Sequence, residues 1–181
     1  MSRITIPTAT DAPADSRPLI AALAQKFGRA PNLFATIGHS PAVLSSLLGA
    51  MDALSRGELS ASEIEAINLH VSELNGCAYC VAAHGAIGKM GGLSADELAN
   101  YRRGIGKNTR EDAILAFSRR IVRTGGAGAG TELAALREAG VSEGAVIEII
   151  AHVALKALTN AVAIVAQTEV DFPRQPHMPS L

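Results

Sequence analysis

The only two cysteines of the chain, Cys77 and Cys80, stand three positions apart, and His84 follows four positions after the second. At about 100° per residue these three side chains fall on one narrow helical face. Two thiols and an imidazole on one stripe make either a redox centre or part of a metal site. Asn75-Gly76 closes one helical pattern and Cys77 opens the next. A helix start offers free backbone N–H groups and partial positive charge, which favour a thiolate. Helix position alone therefore makes Cys77 the more acidic of the pair. The plainer reading is two small thiols filling a core, but their spacing beside His84 favours chemistry.

Zinc competes for the same residues, since Cys77, Cys80, His84 and His70 would make four ligands. Structural zinc sites usually draw two ligand pairs from separate elements, whereas three of these candidates share one helix. A thioredoxin-type motif would need a βαβ context, and none is present. His84, at i+4 from Cys80, can orient or deprotonate it. Glu63, Glu65 and Glu73 read from composition as solvated acids. His70, His152, Lys156 and Asn160 are possible supporting groups. His152 interrupts an apolar helix and needs a partner, which is expected to be structural.

The elements that hold these residues read as helices throughout. Residues 1–16, rich in Pro, Thr and Asp, suggest an extended arm. Pro18 opens a helix to Phe27, and Pro31 a brief one to Gly38. Ser40-Pro41 starts another, running to about Ser55. Ser60 and Glu63 form a capping box, followed by Ile64, Ile67, Val71 and Leu74 at the spacing of one buried stripe. Ser94 caps a helix to Arg103, and Thr109 caps one over Arg110–Thr124. A glycine-alanine loop over 125–130 leads to a helix over Thr131–Ala139. Ser142 begins the last helix, to about Gln167, and the tail with Pro173, Pro176 and Pro179 cannot continue it.

That last helix is apolar almost all round, which predicts burial on every side and a partner subunit as part of the cover. The chain has 181 residues, enough for one domain with a core. A formal net charge of −1 gives no basic surface for nucleic acid or membrane. No uninterrupted apolar run reaches the ~18 residues that would span a bilayer, and the first residues lack the apolar stretch of a signal peptide. A cytoplasmic protein is expected, where close cysteines stay reduced and reactive.

The run from Glu65 through Asn75, Gly76, Cys77, Tyr79, Cys80 and Ala83 to His84 resembles the AhpD-like alkylhydroperoxidases of the carboxymuconolactone decarboxylase superfamily. Glu, eleven residues, Cys, two residues, Cys, three residues, His is a far more specific pattern than a bare Cys-x-x-Cys. Pro31 to Phe34, His39 to Pro41, Ile150 to Ala154, Thr159-Asn160 and Thr168 to Pro173 extend the likeness, in its peroxidase-related branch, from about Pro31 to Pro173.

The resemblance implies an all-α, AhpD-like helical bundle forming one domain, assembled as a trimer or a multiple of it. It implies that Cys80 attacks a hydroperoxide and becomes a sulfenic acid, that Cys77 resolves it as a disulfide, and that His84 and Glu65 relay protons. Tyr79, His152 and Asn160 would support them. A dithiol, thioredoxin-like or lipoyl reductant would reset the pair, with no metal, flavin, haem or other cofactor. The sequence departs from the best-characterised type, which carries His where Tyr79 stands; Tyr, with an unperturbed pKa near ~10, is a poor base at neutral pH. The alternatives are a lactone decarboxylase on the same fold, which has no need of paired cysteines, and a non-catalytic redox-sensing or zinc-binding module.

Overall fold

Helix boundaries follow the capping residues closely. The computed structural model describes residues 2–8, 10–176 and 178. Among them the all-α chain forms a short 3-10 turn at Ala14–Ser16 and nine α-helices, with no strand. These are α1 (Arg17–Phe27), α2 (Asn32–Ile37), α3 (Pro41–Leu54), α4 (Ala61–Leu74), α5 (Ala78–Met90), α6 (Ala95–Arg103), α7 (Thr109–Thr124), α8 (Gly130–Glu138) and α9 (Glu143–Ala166). Ser60 and Ser94 each form a complete capping box, with Glu63 and Glu97. Asn108, not Thr109, caps α7: its side chain accepts the Glu111 N–H, and Thr109 is already helical.

The fold is organised around α4, against which α5, α6, α7 and α9 all pack. This is why the single stripe expected on α4 widens. Ile67 and Val71 are fully buried, but so are Ala66, Leu69, His70 and Ser72 on its other faces. One apolar cluster joins α4 to α7, α8 and α9 through Ile67, Ile114, Leu136 and Ile149. Each such side chain contributes about 1.5–3 kcal/mol by leaving water. A second cluster gathers Ile20, Leu33, Leu44 and Leu47 around Cys77 and Cys80. The thiols thus sit where the N-terminal helices meet α5.

Among the described residues the first segment is non-helical up to the 3-10 turn and is anchored to the body: Arg3 N–H donates to the Ala166 carbonyl at 2.7 Å, and Ala12 is buried. Within a single chain the last helix is not covered on every side, which leaves part of its apolar surface for the partner subunit the sequence suggests. Ile147, Ile150, Leu158, Ile164 and Val165 are exposed along it. By length and composition α9 could also cross a membrane, although nearly half of its apolar window is buried in the protein. Its few polar residues, His152, Lys156 and Asn160 among them, interrupt the apolar run without making the helix polar overall.

After α9 the chain leaves the helix at Gln167, and residues 168–176 run back across α5 as a non-helical strap. Pro173 and Pro176 belong to it; Pro179 lies outside the described residues.

Candidate active site

Cys77 is the N-cap of α5, and its sulfur accepts the Cys80 backbone N–H at 3.3 Å. The turn that sets it there uses Gly76 in the left-handed region, φ 66°. One helical turn on, the Cys80 thiol points back, and the two sulfurs are 2.7 Å apart as free thiols. Both are buried. Donation from Cys80 is the main reason the Cys77 thiol is pulled down to about 7, against the opposing cost of burial. The same bond holds the Cys80 proton, so Cys80 is pushed far up, and burial adds to this. Resting negative charge therefore belongs to Cys77, as helix position predicts.

Behind the sulfurs lies a buried hydrogen-bonded chain of three side chains from three helices. His84 of α5 donates from Nδ1 to Glu65 Oε2 of α4 at 2.9 Å. On the other side of the ring, Lys156 of α9 donates from Nζ to His84 Nε2 at 2.5 Å. His84 is held neutral, first by burial and then by the Lys156 charge. Burial opposes the charge on Glu65, but His84 and Lys156 outweigh it and keep the carboxyl below its usual range. Burial lowers Lys156 too, while Cys80, Glu65 and Cys77 pull it back up.

The three candidate acids are not solvated. Glu63 pairs with Arg110 at 2.7 Å, Glu73 with Arg102 at 2.8 Å, and Glu65 with His84 at 2.9 Å.

Glu65, His84 and Lys156 line a cavity of about 440 Å³. Its walls are mainly apolar, with Phe27, Phe34, Leu47, Met51 and Phe172, and its polar floor holds Glu65, His84, His152 and Lys156. Cys80 lines this cavity; Cys77 does not.

Residues 41–105 match the carboxymuconolactone decarboxylase family model. A solved structure described as an alkylhydroperoxidase AhpD core, an uncharacterized peroxidase-related protein from Ralstonia eutropha JMP134, is 30% identical. It aligns over 94% of this chain and 92% of that one with a TM-score of 0.83. The chain belongs to the AhpD-like, peroxidase-related branch of the carboxymuconolactone decarboxylase superfamily. Two further structures share the fold: a peroxidase-related protein from Silicibacter sp. TM1040 and the debrominase Bmp8 in complex with 2,3,4-tribromopyrrole. They are 22% and 21% identical, each over 93% of this chain and 91% of the other, with TM-scores of 0.81 and 0.77. No curated protein matches the sequence.

In this AhpD-like chain the sequence-derived site residues assemble, with changes of role. Among the described residues His84 bonds Glu65 and Lys156 and neither sulfur. Asn160 accepts from Asn75 at 3.0 Å, donates to Ser72 at 3.2 Å, and its amide lowers both thiols. Tyr79 turns the other way. Its hydroxyl accepts the Leu33 N–H at 3.1 Å and its ring packs edge-on against Phe172. Burial pushes its phenol well above the ordinary range. It therefore ties α2 and the C-terminal strap to α5 rather than serving the thiols.

Among the described residues the buried Nε2 of His152 lacks the structural partner expected of it, and the side chain lines the cavity. His70 donates to the Arg102 carbonyl at 3.3 Å, away from the cysteines. Among the described residues no three His, Cys, Asp or Glu side chains are grouped to hold a metal ion.

Lys156, read from the sequence only as a possible supporting group, bonds the His84 ring directly. The signal was present: His152, Lys156 and Asn160 recur at i, i+4, i+8, a polar line on an otherwise apolar helix. Read one at a time, they looked like isolated polar residues.

Proposed function

We propose that the protein is a cysteine-dependent hydroperoxide reductase that cycles through a Cys77–Cys80 disulfide in the reducing environment of the cytoplasm. One observation carries this reading: two free sulfurs 2.7 Å apart, of which Cys80 faces an apolar cavity floored by a three-residue proton relay. The shared proton lies along the sulfur–sulfur contact. Passing it from Cys80 to Cys77 places the thiolate on the sulfur that substrate can reach, so access decides which thiol attacks.

The Cys80 thiolate attacks the terminal oxygen of ROOH, the O–O bond breaks, and the sulfur becomes a sulfenic acid. The departing alkoxide takes a proton from the relay and leaves as ROH. Lys156 can hand a proton to the alkoxide and be recharged by the proton that Cys77 gives up before the next step, with His84 and Glu65 holding the ammonium in place. Deprotonated again, Cys77 attacks the Cys80 sulfur, its hydroxyl departs as water, and the disulfide closes. Two electrons from an external dithiol restore both thiols. The sum is ROOH plus dithiol to ROH, water and disulfide.

The phenylalanine lining of the cavity also suits a flat halogenated ring, and one fold relative is a debrominase. Reductive dehalogenation by the same thiols is the second reading.

The test is the intact mass of the reduced protein after one equivalent of cumene hydroperoxide. The expected result is loss of two hydrogens per chain, reversed by dithiothreitol. A parallel sample with 2,3,4-tribromopyrrole would oxidise and release bromide only under the second reading. An unchanged mass in both samples would remove the thiol-cycling mechanism.

A further inference from the structure

The two sulfurs look onto different cavities. Cys80 lines the apolar one. Cys77 lines a second, of about 280 Å³, on the other side of the pair, bounded by Glu73, Arg102 and the strap residues Arg174, Gln175 and Pro176. This second cleft is built. Arg102 is buried, donates from Nε to Glu73 at 2.8 Å and from Nη2 to the Pro176 carbonyl at 2.9 Å, and so fixes the strap as a wall. Gln175 lies where a Cβ on residue 85 would sit, and only Gly85 gives it room. With Glu73 neutralised by Arg102, the exposed Arg174 and the N-terminus of α5 leave the cleft with net positive character.

We propose, building on the thiol-cycling reading, that this cleft receives the reductant, and that it selects a small thiol carrying a carboxylate. The oxidised pair is then reduced from the opposite side to that on which it was oxidised. The incoming thiolate attacks Cys77 Sγ, the S–S bond breaks, and Cys80 leaves as a thiolate beside Lys156. A second thiol attacks the reductant's sulfur in the mixed disulfide, freeing Cys77 and yielding the reductant's disulfide. In the reduced pair Cys77 is the more acidic thiol, which favours attack at Cys80. Access overrides that preference, because a thiol bound in the cleft touches only Cys77.

The separation can be tested without any hydroperoxide. Single-thiol variants Cys80→Ser and Cys77→Ser are reacted with dithiobis-nitrobenzoate, a dianionic disulfide, and with dithiodipyridine, a neutral one. The ratio of anionic to neutral rates should be about fivefold higher for the variant retaining Cys77, the effect of roughly one screened charge pair. Adding Arg174→Glu to Cys80→Ser should lower the anionic rate about fivefold while changing the neutral rate less than about twofold. Equal ratios at the two sulfurs, or indifference of the Cys77 rate to Arg174→Glu, would overturn the proposal. Because neither readout uses peroxide, charge selectivity at Cys77 without hydroperoxide turnover would uphold the cleft and count against the peroxidase reading alone.

Discussion

Lys156 Nζ sits 2.5 Å from His84 Nε2, on the side of the ring opposite Glu65. The imidazole is therefore not free to take a proton from a thiol by direct contact, and the Lys156 ammonium is the group of the three whose charge favours the thiolate at both sulfurs. The arrangement is balanced in charge. With thiols protonated, Glu65 and Lys156 cancel around a neutral His84. When a thiol proton moves into the relay, the thiolate and the imidazolium cancel as well. A buried site can tolerate this exchange because no step leaves an isolated charge.

Lys156→Met keeps most of the side-chain volume and removes the proton carrier. Hydroperoxide consumption should fall by at least about 100-fold, the scale of losing a general acid–base group. Glu65→Gln should cost less, about tenfold, since the amide still accepts from His84. Single-turnover rates across pH would check both. A Lys156→Met protein with unaltered rates would exclude the lysine from proton transfer.

In the reduced protein one thiol should titrate near 7 and the other should remain protonated far above it. The folded-state value for Cys77 lies below its ordinary 9.0. Its contribution to stability is thus fully present above about 9, and is lost as pH falls through about 7. Thiolate absorbance and urea unfolding of the dithiol form, set against Cys77→Ser, should show this rise between the two values. An identical pH dependence in the variant would refute it.

His70 should make the fold acid-sensitive. It is fully buried, donates once to the Arg102 carbonyl, and packs against Gly104, where no Cβ fits. Burial first, with Arg119 and Arg123 adding to it, lowers it from 6.5 to about 4. The unfolded chain therefore binds a proton that the folded chain refuses. Stability is complete above about 6.5 and falls towards pH 4, by roughly 3 kcal/mol in all. Denaturant midpoints over this range should fall less steeply in His70→Gln.

How far the sequence foretold this site depends on the range of the interaction. Caps are local, and Ser60, Ser94 and Ser142 mark their helices within a residue of the observed starts. Cys77 at the head of α5 follows from Asn75-Gly76 in the same way. The burial of Glu63 and the pairing of the half-buried Glu65 and Glu73 were not legible. Their partners Arg110, His84 and Arg102 lie 19 to 47 positions away, and only the packing around α4 joins them. Tyr79 shows the limit of motif reasoning. Its place between the cysteines suggests a role at the sulfurs, but at about 100° per residue neighbouring helix positions face different surroundings, and its hydroxyl reaches Leu33.

Tyr79→Phe should accordingly be a stability variant. It leaves the Leu33 N–H, on a buried residue, without its acceptor, which costs about 1–3 kcal/mol. Hydroperoxide turnover per folded molecule should stay within about twofold, a far smaller change than loss of a proton-transfer group brings. Thermal unfolding beside single-turnover kinetics separates the two effects, and a large kinetic loss without destabilisation would return Tyr79 to the chemistry.

The exposed line of Ile147, Ile150, Leu158 and Val165 on α9 is the surface we expect a second copy of the chain to cover. Ile147→Glu with Val165→Glu should shift the sedimentation coefficient from an oligomer, a trimer or a multiple of one, towards the monomer. An unmodified protein that already sediments as a monomer would contradict this.

The most direct measurement is the site of the first oxidation. Cys77→Ser is treated with one equivalent of cumene hydroperoxide and dimedone, and the adduct is mapped by peptide mass. A single dimedone adduct on Cys80 is predicted, with Cys80→Ser forming far less adduct on Cys77 under the same conditions. An adduct carried mainly by Cys77 in Cys80→Ser, with Cys80 left unmodified in Cys77→Ser, would contradict it.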